Sequence, residues 1–192
     1  ATENQPFEYM TSRAYPALSE HTSTKSEDML RQHVMMTCAH HGANLLIDAI
    51  DPVGTMDSRV YERIGKVYRE AEAFEPVMSL GEQAFDVALY YDLNGKYDPE
   101  FPAAGLADDA RQEREKGPMH NALLGAARSL RTHHIPYGIV NNHYFHRYRK
   151  ARVLVLSDVP ALEDARAEEI MQYIQEGGSL YMSGHCHPKL LG

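Results

Sequence analysis

Apolar and polar residues alternate along this chain in two rhythms, a short one of extended segments and a longer one of three-to-four-residue helical spacing. Pro6 to Met10 (PFEYM) is an apolar, aromatic stretch that predicts a first strand, followed by a polar loop through Pro16, His21 and Lys25. Ser26 is a helix N-cap, and Leu30, Val34, Thr37/Cys38 and His41 recur at helical spacing, so a helix is expected over 27–41 with Gly42 as its stop. Asn44 to Ile50 (NLLIDAI) predicts a buried strand ended by Asp51-Pro52 and Gly54. A second helix follows from an Asp57 or Ser58 cap, carrying Tyr61, Ile64, Val67/Tyr68, Ala71 and Phe74 until Glu75-Pro76 closes it.

The remainder repeats the alternation. Val87 to Tyr91 (VALYY) predicts a strand, and a long polar stretch runs from Asp92 to Lys116. Pro118 then opens a helix with Met119, Leu123, Ala127, Leu130 and His134 on one face. Tyr137 to Val140 and the nearly all-apolar Ala151 to Leu156 are further strands, the latter with the composition of a strand covered on both faces. Pro160 and Glu163 lead into a helix with Ala167, Ile170, Tyr173 and Ile174 inward; Gly177-Gly178 ends it, and Ser179 to Met182 is the last strand. Strands alternating with helices predict the α/β class, with a parallel sheet of flavodoxin-like or Rossmann-like kind and helices on both faces.

Composition narrows the function. The 192 residues have a hydrophobic content of 43%, that of a folded protein. Their length suits one domain or slightly more. The formal charge is −8, so a nucleic-acid partner or an anionic membrane surface is not expected. The one basic, aromatic run, His143 to Lys150 (HYFHRYRK), reads as loop or edge material, buried against a partner. Two cysteines far apart, Cys38 and Cys186, indicate neither a disulfide framework nor a Cys-based zinc site, which fits a cytoplasmic location. No apolar run has the length of a membrane span.

Longer phrases carry a resemblance. The segment from Met119 to Gly184, with MHNALLGAARSLRTHHIPYGIV and then ARVLVLSDVPALEDARAEEIMQYIQEGGSLYMSG, resembles the β-galactosidase trimerisation domain of glycoside hydrolase family 42 and its relatives. That domain is a glutamine-amidotransferase-like flavodoxin fold. The preceding stretch, QPFEYMTSRAY to GKVYREAEAFEPVM, resembles the last two βα units of the TIM barrel of these hydrolases. The resemblance implies residues 1–80 as the end of a (β/α)8 barrel and 81–192 as an incomplete accessory domain. The whole would be the C-terminal portion of a carbohydrate-active, β-galactosidase-like enzyme, with the accessory domain serving assembly and the chain inactive alone. It implies carbohydrate as the substrate of the full-length protein, a homo-oligomer or association with the remainder of the same protein, and no cofactor. The acid/base carboxylate of such barrels follows a strand outside this chain, and the position of the nucleophilic Glu falls near Thr11. Glu8 is three residues earlier, an odd offset that points it to the opposite face.

Candidate site residues follow. Glu8, Asp48 and Asp51 are the catalytic candidates, while Arg13, His21 and Lys25, in the loop after the first strand, would contact sugar hydroxyls; loop shaping and solvation are the alternative for each. Gly184-His185-Cys186-His187-Pro188 follows a strand as a nucleophile elbow does, yet Pro188 stands where such turns carry a second Gly, and the six residues after Cys186 leave no room for the downstream His and acid. His185, Cys186 and His187 could also ligate zinc or copper together with His143 and His146, although the spacing carries no metal signature and no metal is expected. His40-His41 and His133-His134 sit where imidazole meets the free carbonyls of helix ends. A second reading makes the chain a free-standing flavodoxin-like module that binds a small ligand at its strand ends, around Tyr91, Asn94, Asn141, Ser157 and Ser183.

Overall fold

The computed structural model describes residues 7–16, 20, 22–50, 52–78, 80–92, 118–159 and 162–191. Among the candidates, His21, Asp51, Asn94 and Pro160 lie outside the described residues, as does the stretch 93–116. The chain divides into two compact units, Thr2–Glu82 and Gln83–Gly192. Its described strands are all paired in parallel, and helices cover them, so the protein is an α/β protein. No described helix is long and apolar enough to cross a membrane.

In the N-terminal unit, β1 (Glu8–Ser12) lies parallel to β2 (Ala43–Ile47), in register from Glu8 beside Ala43 to Ser12 beside Ile47. Both strands are displaced from their expected limits, β1 two residues later and β2 ending three earlier. The connecting helix α1 (Glu27–Ala39) starts where Ser26 accepts the Met29 N–H, as the cap residue predicted. Its end is made differently. His41 takes the left-handed conformation (φ 61°), and Gly42 instead lets the chain pass the Phe7 ring, where an added Cβ would sit 2.3 Å from Phe7 Cζ. Helix α2 (Ser58–Glu72) starts from the Asp57 cap, and Pro76 lies inside a further short helix, α3 (Glu75–Met78), rather than closing α2. Leu30 and Val34 of α1 meet Val67 and Ala71 of α2 in the core of this unit, with Leu46 packed against them.

The C-terminal unit holds β3 (Val87–Tyr91), α4 (Pro118–Thr132), β4 (Tyr137–Asn141), β5 (Val153–Ser157), α5 (Asp164–Gln175) and β6 (Ser179–Ser183). The described strands lie in the order β4-β3-β5-β6, all parallel. Alternation along the strands divides the core into two faces. Val87, Leu89 and Val155 pack against Leu123 of α4. Ala88, Tyr90, Leu154 and Leu156 face the other way, against Ala167, Ile170 and Tyr173 of α5.

The basic, aromatic run departs from expectation. Asn142–Lys150 forms consecutive 3-10 turns, broken at Tyr144 by non-helical dihedrals, and buries Phe145 and Tyr148 completely within its own unit. The two rings lie 4.3 Å apart between centroids, Tyr90 meets Phe145 edge-on, and the Arg166 guanidinium stacks 4.3 Å over Phe145. Phe145 and Tyr148 of this segment are core, while His143, His146, Arg149 and Lys150 are exposed and Arg147 is half-buried. His134 likewise leaves the helix face it was placed on: it follows the end of α4, exposed, with φ 55°.

Candidate functional site

Parallel strands end together, so whatever follows β1 and β2 is gathered at one edge. Arg13 and Asp48 are the first residues beyond the two strands, and the Arg13 N–H donates to Ile47 O at 2.9 Å. The Arg13 guanidinium donates to the Asp48 carboxylate through Nε, and its Nη1 donates to Ser23 O at 2.9 Å and Thr24 Oγ1 at 3.1 Å. Asp48 also accepts the Ala49 N–H at 2.7 Å. Burial by itself would raise the Asp48 pKa; the bonds from Arg13 and Ala49 outweigh it and hold the carboxylate below its usual value. The same carboxylate acts on Tyr61 of α2, whose phenol is raised by burial and by this neighbouring charge. Asp57, the cap of α2, also feels Arg13, after the larger effect of its own bonds with Arg59.

Lys25 closes the same loop. Its N–H donates to Arg13 O at 2.7 Å, while Nζ donates to Thr11 Oγ1 and to Ser12 O, both at 2.6 Å. The residue is 8% exposed, and burial lowers its pKa. Both acceptors of Nζ are neutral. Its charge reaches His33 of α1, which desolvation and then Lys25 push toward the uncharged form, and which stacks on Tyr9 at 5.8 Å. His33 was not legible as a site residue, because on α1 it sits beside the apolar positions Leu30 and Val34 with no pattern of its own.

The structure therefore brings Arg13, Lys25 and Asp48 together and leaves Glu8 apart. Glu8 is the first residue of β1 and is exposed, so it stands at the opposite end of the strand, roughly 13 Å away at the rise of an extended chain. Thr11, the position at which the resemblance places a nucleophile, is buried beneath Lys25. Chemically, this edge offers an ionised carboxylate, a guanidinium and a desolvated ammonium to a polar ligand. It does not pair Asp48 with Glu8 across a bond to be cleaved.

The elbow-like turn of the C-terminal unit is held by carboxylates. Asp158, in the left-handed conformation (φ 55°), accepts the His185 N–H at 2.7 Å and His185 Nδ1 at 2.9 Å. Gly184 makes this approach possible, since a Cβ there would lie 2.5 Å from Asp158 Oδ1. His187 Nε2 pairs with Asp164 at 2.9 Å. Each imidazole thus has one nitrogen on a carboxylate, His187 Nδ1 also accepts the Lys189 N–H at 3.3 Å, and the Cys186 thiol donates to Ser183 O at 3.8 Å. Burial, followed by the Asp158 charge, raises the Cys186 pKa, the opposite of what an activated thiolate requires. Among the described residues no three His, Cys, Asp or Glu side chains converge as a metal-ligand set.

No protein-family model and no curated protein matches the chain. Solved structures do. The alpha-L-fucosidase isoenzyme 2 from Paenibacillus thiaminolyticus matches over 91% of this chain with a TM-score of 0.66 and 24% identity. The beta-galactosidase from Rahnella sp. R3 matches over 83% with a TM-score of 0.55 and 16% identity. In each case the chain spans about a quarter of the matched protein, 24% of its length. At these identities the likeness concerns the fold alone: this chain shares the fold of a part of each of the two proteins.

Proposed function

We propose that the chain is the C-terminal portion of a carbohydrate-active glycoside hydrolase of β-galactosidase-like kind. In this reading the N-terminal unit is the end of its (β/α)8 barrel, and the C-terminal unit is a flavodoxin-like accessory domain, akin to the family-42 trimerisation domain, that serves assembly. The observation that carries the reading is the span of the likeness: it covers 91% of the chain, and so parts of both units, against a single fucosidase. The strand-end cluster supports it from the chemistry. Active sites of such barrels lie at the C-terminal ends of the strands, where Arg13, Lys25 and Asp48 are gathered. Their roles would be to bind sugar hydroxyls and to order the loop, with the acid and the nucleophile supplied outside the described residues. The chain on its own is then inactive, and it works in the cytoplasm as a homo-oligomer or in association with the remainder of the same protein.

The test is an assay with nitrophenyl α-L-fucoside and nitrophenyl β-D-galactoside, run on the 192-residue chain and on the protein extended through its preceding coding sequence. Turnover is expected from the extended protein alone, with a raised KM for Arg13→Met. Turnover by the 192-residue chain that disappears in Asp48→Asn would overturn the reading, and so would an extended protein inactive on every nitrophenyl glycoside tried.

A further inference from the structure

The sheet order of the C-terminal unit has a reversal in it. From β3 the chain moves outward to β4, then returns across β3 to place β5 and β6 on the other side. In open parallel sheets the connections diverge at such a point and leave a crevice at the carboxyl ends of the two strands, here β3 and β5.

Registers show what lies at that edge. Tyr91 pairs with Asn141, and Ser157 pairs with Ser183. Tyr91 and Ser157 are one step beyond the paired Tyr90 and Leu156. The four residues therefore form one row across the ends of β4, β3, β5 and β6. Tyr91 packs against the cluster of Val87, Leu89 and Val155 on the α4 face, and Ser157, two residues after Val155, shares that face by alternation. Ser157 is 2% exposed, and its hydroxyl has no hydrogen-bond partner. A buried hydroxyl left unbonded is costly and uncommon, and the usual resolution is a partner that the chain does not itself supply.

Chemistry narrows that partner. The row carries no charge: the three hydroxyls of Tyr91, Ser157 and Ser183, the Tyr91 ring, and the Asn141 amide, whose Oδ1 already accepts the His143 and Tyr144 N–H groups. The next residues along β3 and β5 are Asp92 and Asp158, whose negative charge disfavours phosphate or carboxylate ligands. Asp158 is already bonded to His185, and Asp92 accepts from Asn142 at 3.1 Å. A pyranose-sized molecule suits the row, with C–H bonds for the ring of Tyr91 and hydroxyls for the serines.

We propose that the C-terminal unit carries a binding site of its own for a small neutral polyhydroxylated molecule of monosaccharide size. It lies at the carboxyl ends of β3 and β5, with Ser157 as the central hydrogen-bonding group and Tyr91 as the platform. The site stands independently of the hydrolase reading, because it uses none of the residues at the ends of β1 and β2.

Amide-detected NMR of the 192-residue chain tests it, with glucose, mannose and galactose as probes and inorganic phosphate as the charged comparison. At least one hexose is expected to shift the amides of Tyr91, Ser157 and Ser183 saturably, with a Kd of about 1 mM. Ser157→Ala should weaken this at least about fivefold while leaving the sugar-free protein as heat-stable as the wild type or more so, since the unbonded hydroxyl is gone. Should that variant fail to fold, Ser183→Ala is expected to weaken the same shifts. Absence of saturable shifts up to about 50 mM of every hexose, shifts unchanged in both variants, or equal shifts with phosphate would each overturn the proposal.

Discussion

The ammonium of Lys25 lies 2.6 Å from the hydroxyl of Thr11, and both residues are buried at the end of β1. A lysine in that place has lost its hydration and bonds only neutral oxygens, so the charged form is the one the fold penalises. The pairing also explains why the loop after β1 returns to its own strand: Lys25 fixes residues 11 and 12 from above, while Arg13 fixes Asp48 and the loop carbonyl of Ser23.

A pH dependence follows from Lys25. Its folded-state pKa lies below 10.5, so between the two values the unfolded chain holds a proton that the folded one has released, and stability rises with pH across that window. Lys25→Met removes this titration. Urea unfolding of the two proteins is expected to show the stability of the wild type, relative to Lys25→Met, growing as the pH is raised from 7 toward 10; a constant difference would show that Lys25 is not desolvated.

Asp48→Asn tests the pair beside it. The Arg13 and Asp48 side chains are 12% and 11% exposed, and removing one member of a pair so enclosed leaves the other charge unmatched, at about 3 kcal/mol. Because the folded carboxylate titrates below 3.8, the stability it contributes is fully present above that value and is lost as the pH falls through the folded pKa. The gap between wild type and Asp48→Asn should therefore be open at pH 7 and narrow in acid, as read by urea midpoints.

The turn after β6 yields a third expectation. The Cys186 thiol donates to Ser183 O rather than to an imidazole, and burial raises its pKa, so Cys186 has neither a base on its sulfur nor a stabilised thiolate. No glutaminase activity is expected, and thiol alkylation should change nothing in a glutamine-hydrolysis assay. Ammonia release abolished by Cys186→Ala would refute this.

What the chain made legible is the alternation itself. Hydrophobic spacing located every described strand and the long helices, because Leu30 and Val34, or Ala167, Ile170 and Tyr173, are buried by one periodic stripe that needs no distant information. Two parts were not legible. In Asn142–Lys150, charged residues alternate with aromatic ones at 3-10 spacing, so the burial of Phe145 and Tyr148 depends on β3, β4 and α5 arriving around them. The strand-end cluster was half legible. Arg13, Lys25 and Asp48 stand out as charges beside apolar strands, but their pairing depends on the register of β1 with β2, which also puts Glu8 at the far end.

The account rests on the N-terminal unit being part of a larger barrel. Its described sheet has two strands, and Tyr9, Met10 and Leu45 on them are 42%, 56% and 41% exposed. So small a parallel sheet needs further strands or another surface to bury such residues, each worth roughly 25 cal/mol per Å2 of apolar area. Light scattering coupled to size exclusion at micromolar concentration measures this directly. Association of the purified chain into species heavier than 21.7 kDa is the predicted result. A monodisperse 21.7 kDa monomer that unfolds in one cooperative step would contradict it, since such a chain closes its own core.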